Sequence, residues 1–567
     1  MAEDQGLVGA NEATQEWGER PWVLAIILGV AGLIVHFASD GVDIEPWRVA
    51  VTAAFVFGPL AAAFTLSPER WLPSLVFSVI VALVMAGIAW RAASAGDRYS
   101  DEEFWVASGV LATTLSVPLF QAGFHKLRWQ TSYKETHFHV WTDAITGAGA
   151  LAFVGLSWAL LLILAELFSA IQIEILRDLV REEAFGFTFS GAAFGAALGV
   201  LRNQLKVIGT LQNVVLLVLS ILAVPLAIAL SLFLLAVLVS GLDVLWEATK
   251  SATPLLLAIA VGCFVLANAV VRDDDAEASN SRVLRIAGFV LALGILPLSL
   301  MAAASMGTRI AQHGLSPERL WALVAIALAV AFGVAYFVSA IRGRREGWRG
   351  YLRQSNLHLS ALTAILAFLL AMPILNFGSI SASNQLSRLA SGDVSPEDFD
   401  YAALRWDFGD SGREALEELA QSDNAEVAEL ALAVQKAESE YDFRYQPDVS
   451  AVNKAPIEVE SDAVRLAVRT FLQTNSYRCA ESCRVVEVGV HNDMPLMALL
   501  TEGRDPELLV YDEAEDAVSL IVIRHGQLVN QQAYEVPEIS EDSTVELRPF
   551  EGQQLYIDGQ AASGVFE

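Results

Sequence analysis

Between residues 22 and 375 the chain repeats one pattern, a long apolar run followed by a short polar connection. A membrane-crossing helix needs about 20 apolar residues to cover the ~30 Å hydrocarbon layer. The pattern predicts eleven such helices, over 22–38, 47–66, 71–90, 103–123, 143–168, 186–201, 207–240, 254–271, 283–307, 319–341 and 356–375. Two are awkward. Segment 186–201 (GFTFSGAAFGAALGVL) is only sixteen residues long, and 207–240 is too long for an upright crossing. The long run holds Pro225 but no polar turn, so it reads as one tilted or kinked helix. Trp22, Trp47, Trp71, Trp90, Trp105, Trp141 and Trp321 fall at segment ends, where amphipathic indoles favour the headgroup layer.

Beyond residue 375 the period changes. Over 376–445 short helical stretches are expected. SISASNQLSRLASG stops at Gly392, and SPEDFDYAALRWDF opens with Ser395 as N-cap, Pro396 at the first helical position and Asp398 closing a variant capping box. EVAELALAVQKAE puts Val427, Leu430, Ala431 and Val434 on one apolar face. Over 446–567 a helix (SDAVRLAVRTFLQ) gives way to β-rich runs: RVVEVGV, ELLVY, AVSLIVIR, QLVNQQAY, TVELRPF and QQLYI. His525-Gly526 sits between two of them like a hairpin turn. The expected architecture is mainly α: a tail over 1–21, a transmembrane bundle over 22–375, a helical segment over 376–445 and a small α+β or sandwich-like domain over 446–567.

Composition agrees, with 54% hydrophobic residues and a mean hydropathy of +0.47. Charge adds an asymmetry. From Phe377 to the end lie 37 of the 65 acidic residues but only 13 of the 36 basic ones. A solvated acidic domain repels phosphate backbones, which argues against nucleic-acid binding. The first 21 residues (MAEDQGLVGANEATQEWGERP) lack the basic start of a cleavable signal peptide, so the first apolar run is expected to remain as an anchor. With the N-terminus inside, inner connections hold 15 basic residues, including Arg342, Arg344, Arg345, Arg349 and Arg353, and outer ones hold 8. That bias favours eleven crossings, a cytoplasmic N-terminus and an exported, periplasmic C-terminal domain.

Three stretches resemble a known family. HVWTDAITGAGALAFVG and its continuation to LGVLRNQ (139–204), GLSPERLWAL (314–323) and SASNQLSRLASGDVSPEDFDYAALRWDFGDSGREALEELA (381–420) are similar, in order and spacing, to the bacterial membrane proteins grouped as domain of unknown function 4153. The likeness spans roughly 120–420. It implies a polytopic inner-membrane protein and brings no reaction, ligand or functional residue.

Motif chemistry is sparse. The sequence has no Walker loop, GxGxxG, HExxH or GxSxG, so no cofactor is implied and a nucleotide-driven pump or familiar hydrolase is disfavoured. FHKLRWQTSYKETHFHVW gathers His125, Glu135, His137 and His139. On an extended strand His-x-His can face one metal, but the ligand set is thin and an interfacial loop is the favoured reading. Ionisable residues inside spans are functional candidates. His36 and Glu166 lie near outer helix ends and Asp143 at an inner boundary, where snorkelling or an interhelical bond is favoured over an ion path. Arg177, Asp178, Arg181, Glu182 and Glu183 read as an interfacial helix, with Asp178 able to pair with Arg181. Gly191, Gly195 and Gly199 form a doubled GxxxG, suited to packing within the bundle or, less favoured, to dimerisation.

SYRCAESCRVV (476–486) holds two of the three cysteines, Cys479 and Cys483. In an exported domain they are expected to form a disulfide; a zinc site completed by His491 and His525 is the alternative. Cys263 lies within a span and is not a plausible partner. Three function classes follow: a non-catalytic envelope scaffold whose acidic domain engages another envelope protein, a small-solute or lipid transporter, and a membrane-embedded transferase. The order given is the order favoured. A transporter predicts more buried charge and an internal repeat, and a transferase would rest only on His36, Glu166 and Asp178.

Overall fold

The structure is a computed structural model that describes residues 17–41, 45–241, 252–279, 281–343, 347–437, 439–440, 452, 454–479, 483–491, 494–501, 506–513, 517–524, 527–530, 556–557 and 560–561. It divides into two compact units, Met1–Gln435 and Lys436–Glu567. Eleven helices among the described residues are long and apolar enough to cross a membrane. They are α1 (Arg20–Ser39), α2 (Pro46–Thr65), α3 (Trp71–Ala95), α4 (Glu102–Gln121), α5 (Tyr133–Ser169), α7 (Glu183–Asn203), α8 (Leu205–Ser240), α9 (Ala252–Val271), α10 (Arg282–His313), α11 (Pro317–Gly343) and α12 (Trp348–Ala371). A short helix, α6 (Ile175–Arg181), separates α5 from α7.

The awkward segments resolve differently. α7 runs three residues beyond the expected 186–201 at its start and two at its end, giving 21 residues, or ~31 Å at 1.5 Å each. Hydropathy underestimated it because Glu183, Arg202 and Asn203 are helical but polar. α8 is one continuous helix through Pro225. α5 starts ten residues before the expected 143, so most of the supposed His-rich loop is helix.

α7 lies against α1 at backbone contact. A Cβ added to Gly191 or Gly195 would overlap the carbonyl of Leu28 or Leu24, and one on Gly199 would press on Pro21. From the other side Gly32 abuts the Phe187 carbonyl. Glycines four apart share one helix face, so the two rows interlock without side chains between them. The GxxxG row therefore serves a contact within the chain.

Not every terminal tryptophan is an interfacial anchor. Trp22, Trp47, Trp71 and Trp90 are exposed, but Trp105 and Trp321 are buried. The Arg91 guanidinium sits 3.2 Å from the Trp105 ring centroid, a cation–π contact. Trp321 stacks on Phe104 and meets Phe377 edge-on at 4.9 Å. Position at a segment end could not distinguish these two because their partners come from distant sequence.

Beyond the spans, α13 (Phe377–Ser391), α14 (Tyr401–Trp406), α15 (Gly409–Leu419) and α16 (Ala425–Lys436) belong to the first unit. Gly392 takes a left-handed φ of 77° and ends α13. The capping box forms locally, with Ser395 Oγ donating to Asp398 Oδ2 at 2.7 Å and accepting from the Asp398 amide at 3.2 Å. It makes only a turn. The helix starts later, capped by Asp400, whose side chain accepts from the Ala403 amide. Phe399 and Tyr401 are both buried with rings 4.7 Å apart, a pairing that i and i+2 positions on a continuous helix would oppose.

The second unit is α+β. Helix α17 (Asp462–Thr474) covers one face of a sheet ordered β1 (Ile457–Glu458), β2 (Cys483–His491), β3 (Met494–Thr501), β4 (Glu507–Asp512), β5 (Ala517–Arg524) and β6 (Gln527–Asn530). β1 and β2 are parallel, and the rest is an antiparallel meander. Val464, Val468 and Leu472 of α17 pack on Val485, Met497, Leu499 and Leu509. β3 is a strand that the sequence pattern does not predict, because MPLMALLT has no polar alternation. Its Leu496 and Ala498 are buried in a second cluster with Leu508, Val510 and Ile521, so neither set of alternating side chains is polar. Two residues separate β5 from β6, since Arg524 pairs with Gln527; His525 and Gly526 themselves, and TVELRPF, lie outside the described residues. A disulfide joins buried Cys479 to Cys483, with Cα atoms 5.2 Å apart, linking the end of the α17 region to β2. Cys263 is buried and free.

Two outcomes follow from this packing. Gly195→Ala should destabilise the detergent-solubilised protein by about 1–3 kcal/mol through overpacking, whereas Gly155→Ala, with open space around its Cα, should be neutral or slightly stabilising. Thermal unfolding followed by circular dichroism checks both. Cys479→Ser should lower the stability of the oxidised 436–567 unit by about 2 kcal/mol, the chain-entropy value for so short a loop, without preventing folding.

Candidate functional site

Three groups of hydrogen-bonded polar side chains tie helices of the bundle together. At the face where α1 begins, the ends of several helices converge. Arg20 Nη1 donates to the Arg202 carbonyl (3.0 Å) and to Asn203 Oδ1 (2.8 Å), and Asn203 Nδ2 donates to the Trp17 carbonyl (2.8 Å). Arg202 in turn donates to the Ala63 carbonyl at the end of α2. Gln121 Nε2 donates to the Phe64 carbonyl (2.6 Å) and to Asp143 Oδ1 (3.2 Å). Asp143 thus lies packed among the helix ends at this face, and its Oδ2 is buried without a hydrogen-bond partner. Arg202 is close enough to act on it electrostatically.

On the same face a second group ties α5, α9, α11 and α12. Asn268 Nδ2 donates to Tyr336 Oη (2.7 Å), Tyr336 Oη donates to Asn356 Oδ1 (2.8 Å), and Asn356 Nδ2 donates to Asn268 Oδ1 (2.6 Å). The triangle closes on itself, and Asn356 also reaches Tyr133 Oη at 3.3 Å. Beside it, Arg353 donates to the carbonyls of Val271 (2.7 Å) and Arg272 (3.0 Å) and pairs with Asp275 (3.0 Å), capping the end of α9. His137 is buried, with neither ring nitrogen hydrogen-bonded.

The third group lies at the opposite face, where α13 to α15 seat on the bundle. Gln385 Nε2 donates to the carbonyls of His313 (2.8 Å) and Leu315 (2.9 Å), Arg388 Nη2 to Gln312 (2.8 Å), and Asn384 Oδ1 accepts from the Leu315 amide (2.8 Å). These bonds cap α10. Gly378 and Gly409 leave no room for a Cβ against Phe408 and Arg98. Beneath them Asp101 is buried, with Oδ2 accepting from Trp321 Nε1 (3.3 Å) and Oδ1 unpartnered. Burial raises the Asp101 carboxyl above its ordinary value, against the opposing pull of Trp105, Trp321 and Arg91.

The other sequence candidates are dispersed. His36 is half-buried and faces Phe187, ring centroids 5.7 Å apart; Glu166 is exposed on α5. Arg177 pairs with Glu174 at 3.7 Å, and Asp178 with Arg181 is not the pairing formed. His137 and His139 are helical, which turns the two imidazoles about 200° apart and undoes the shared-strand geometry. Among the described residues no three His, Cys, Asp or Glu side chains are grouped to hold a metal ion. Asn268, Tyr336 and Asn356 are uncharged, so the pattern of ionisable residues within the spans does not mark them. Amides buried within otherwise apolar runs were the available signal.

A family model described as a domain of unknown function (DUF4153) matches residues 49–419. The chain belongs to this family. The DUF4153 match starts within α2, so it takes in spans that the motif resemblance over roughly 120–420 leaves out. It ends with α15, so the segment seated over α10 and Asp101 is part of the DUF4153 domain and the β-sheet unit lies beyond it. No curated protein and no solved structure matches the chain.

Asp101 gives a pH-dependent outcome. A raised folded pKa means that protonation favours the folded state. The contribution is fully present below the unfolded carboxylate value of about 3.9 and is lost as pH rises through the folded value. Asp101→Asn stays neutral and should show a smaller fall in unfolding midpoint between about pH 4 and 7 than the unmodified protein. Equal slopes would show that Asp101 does not titrate on unfolding.

Proposed function

We propose that this multi-pass membrane protein is a non-catalytic envelope scaffold, a rigid bundle that presents the acidic α+β unit outside the cytoplasm to another envelope protein. The closed Asn268–Tyr336–Asn356 triangle carries the reading. A buried polar network in which each member satisfies the others favours one arrangement of its helices, whereas alternating access requires two. The orientation rests on the 15 to 8 basic bias and eleven crossings, and a disulfide suits an oxidising compartment. Leu466 and Val490, each 69% exposed, are apolar positions open to a partner.

One observation favours the transporter reading instead: the unpartnered Asp143 oxygen beside Arg202, a buried acid of the kind that carries protons. Spin labels at Asp40 and Gln312 separate the two. A single narrow distance distribution, unchanged between about pH 5 and 8, is expected of the scaffold; two populations exchanging with pH would replace it with a proton-coupled transporter. Alkaline phosphatase fused after Glu567 should be active and a cytoplasm-dependent fluorescent protein there dark. The reverse would sink the exported placement.

A further inference from the structure

At the face where α1 begins, Arg20, Arg202, Arg272 and Arg353 are each engaged by groups of the protein. Arg342, in the last turn of α11, is exposed and has no ion-pair or hydrogen-bond partner among the described residues. It stands at the mouth of a groove of about 640 Å³ between α11 and α12. The α11 wall is apolar, with Ala331, Val334 and Val338 spaced three and four apart on the face that ends at Arg342. The α12 wall is polar, presenting Tyr351, Gln354 and His358. From Ala331 to Arg342 the helix rises ~16 Å, about half of the ~30 Å hydrocarbon thickness. The groove therefore has the depth of one leaflet, with Arg342 and Tyr351 at one end and, along its length, an apolar α11 wall facing a polar α12 wall.

We propose that this groove binds one anionic glycerophospholipid, its phosphate on Arg342 and its acyl chain along Val338, Val334 and Ala331. A guanidinium matches a phosphate by paired hydrogen bonds. The Tyr351 hydroxyl and Gln354 amide add donors for the glycerol and phosphate oxygens. Charge selects the class of lipid: Asp275 pairs with both neighbouring cations, Arg349 and Arg353, and so offsets one of their two charges, whereas no described residue pairs with Arg342. The site does not depend on which side of the membrane this face occupies.

The test uses the full chain in detergent, with lipid adducts counted by native mass spectrometry as phosphatidylglycerol or phosphatidylcholine is added. Phosphatidylglycerol should bind first. Arg342→Gln should weaken its binding about fivefold, the equivalent of ~1 kcal/mol for one basic residue at a membrane surface, and leave phosphatidylcholine unchanged, while Arg342→Lys should retain most of the preference. Should Arg342→Gln fail to fold, Val338→Trp, which fills the apolar wall, should abolish the phosphatidylglycerol adduct. Equal binding of the two lipids, or no effect of either Arg342→Gln or Val338→Trp, overturns the proposal. Free glycerol 1-phosphate should not compete; competition at matched concentration would show that the groove reads phosphate alone and would overturn the lipid assignment.

Discussion

A helix leaves its last carbonyls without partners, and in a membrane protein few waters are at hand to supply them. This chain meets that constraint with arginines from distant sequence. The end of α2 receives Arg202, that of α7 Arg20, that of α9 Arg353, that of α10 Arg388, that of α12 Arg91 and that of α16 Arg405. Each guanidinium both donates to carbonyls and meets the negative end of a helix dipole. Each also joins two elements that hydrophobic contact alone would leave free to slide. The bundle's register is fixed at its ends as much as in its apolar middle.

The middle contributes by a different means. Lipid competes with side chains for apolar contact, so close approach of helices rests on small residues. The α1–α7 contact does this through glycine on both helices, and the asparagine–tyrosine triangle adds directional bonds to the α9–α11–α12 group. These features leave little room for sliding between helices, and that restriction supports the scaffold reading. Asp143 and His137 are exceptions, buried polar groups with unsatisfied atoms, and any moving part would be sought there.

The DUF4153 match ends with α15, which gives the segment after the spans a physical role. Its side chains close the end of α10 and its glycines seat it over Asp101. The sequence shows this stretch as polar and helical, the composition of an independent tail. What binds it is hydrogen bonding to backbone carbonyls, which are present at every residue and so leave no mark in the sequence that receives them.

Hydrophobic period alone determined the eleven helices, because a run of about 20 apolar residues has few stable states other than a helix in lipid. Charge distribution marked the acidic final unit, and β-rich runs marked β2, β4, β5 and β6. The cysteine pair was legible too, as the expectation for two nearby thiols in an exported domain. The tertiary structure decided the rest. It set the true length of α7, whose polar C-terminal end is held by the partners Arg202 and Asn203 find on α1 and α2. It buried Trp105 and Trp321 beside Arg91 and Asp101, and it made β3 a strand because neighbours on both sides supply the ladder bonds that Leu and Met do not predict. The polar clusters were hidden for the same reason. A hydrogen bond between residues 268 and 336 depends on where two helices cross, and crossing is a property of the packed chain that no local window contains.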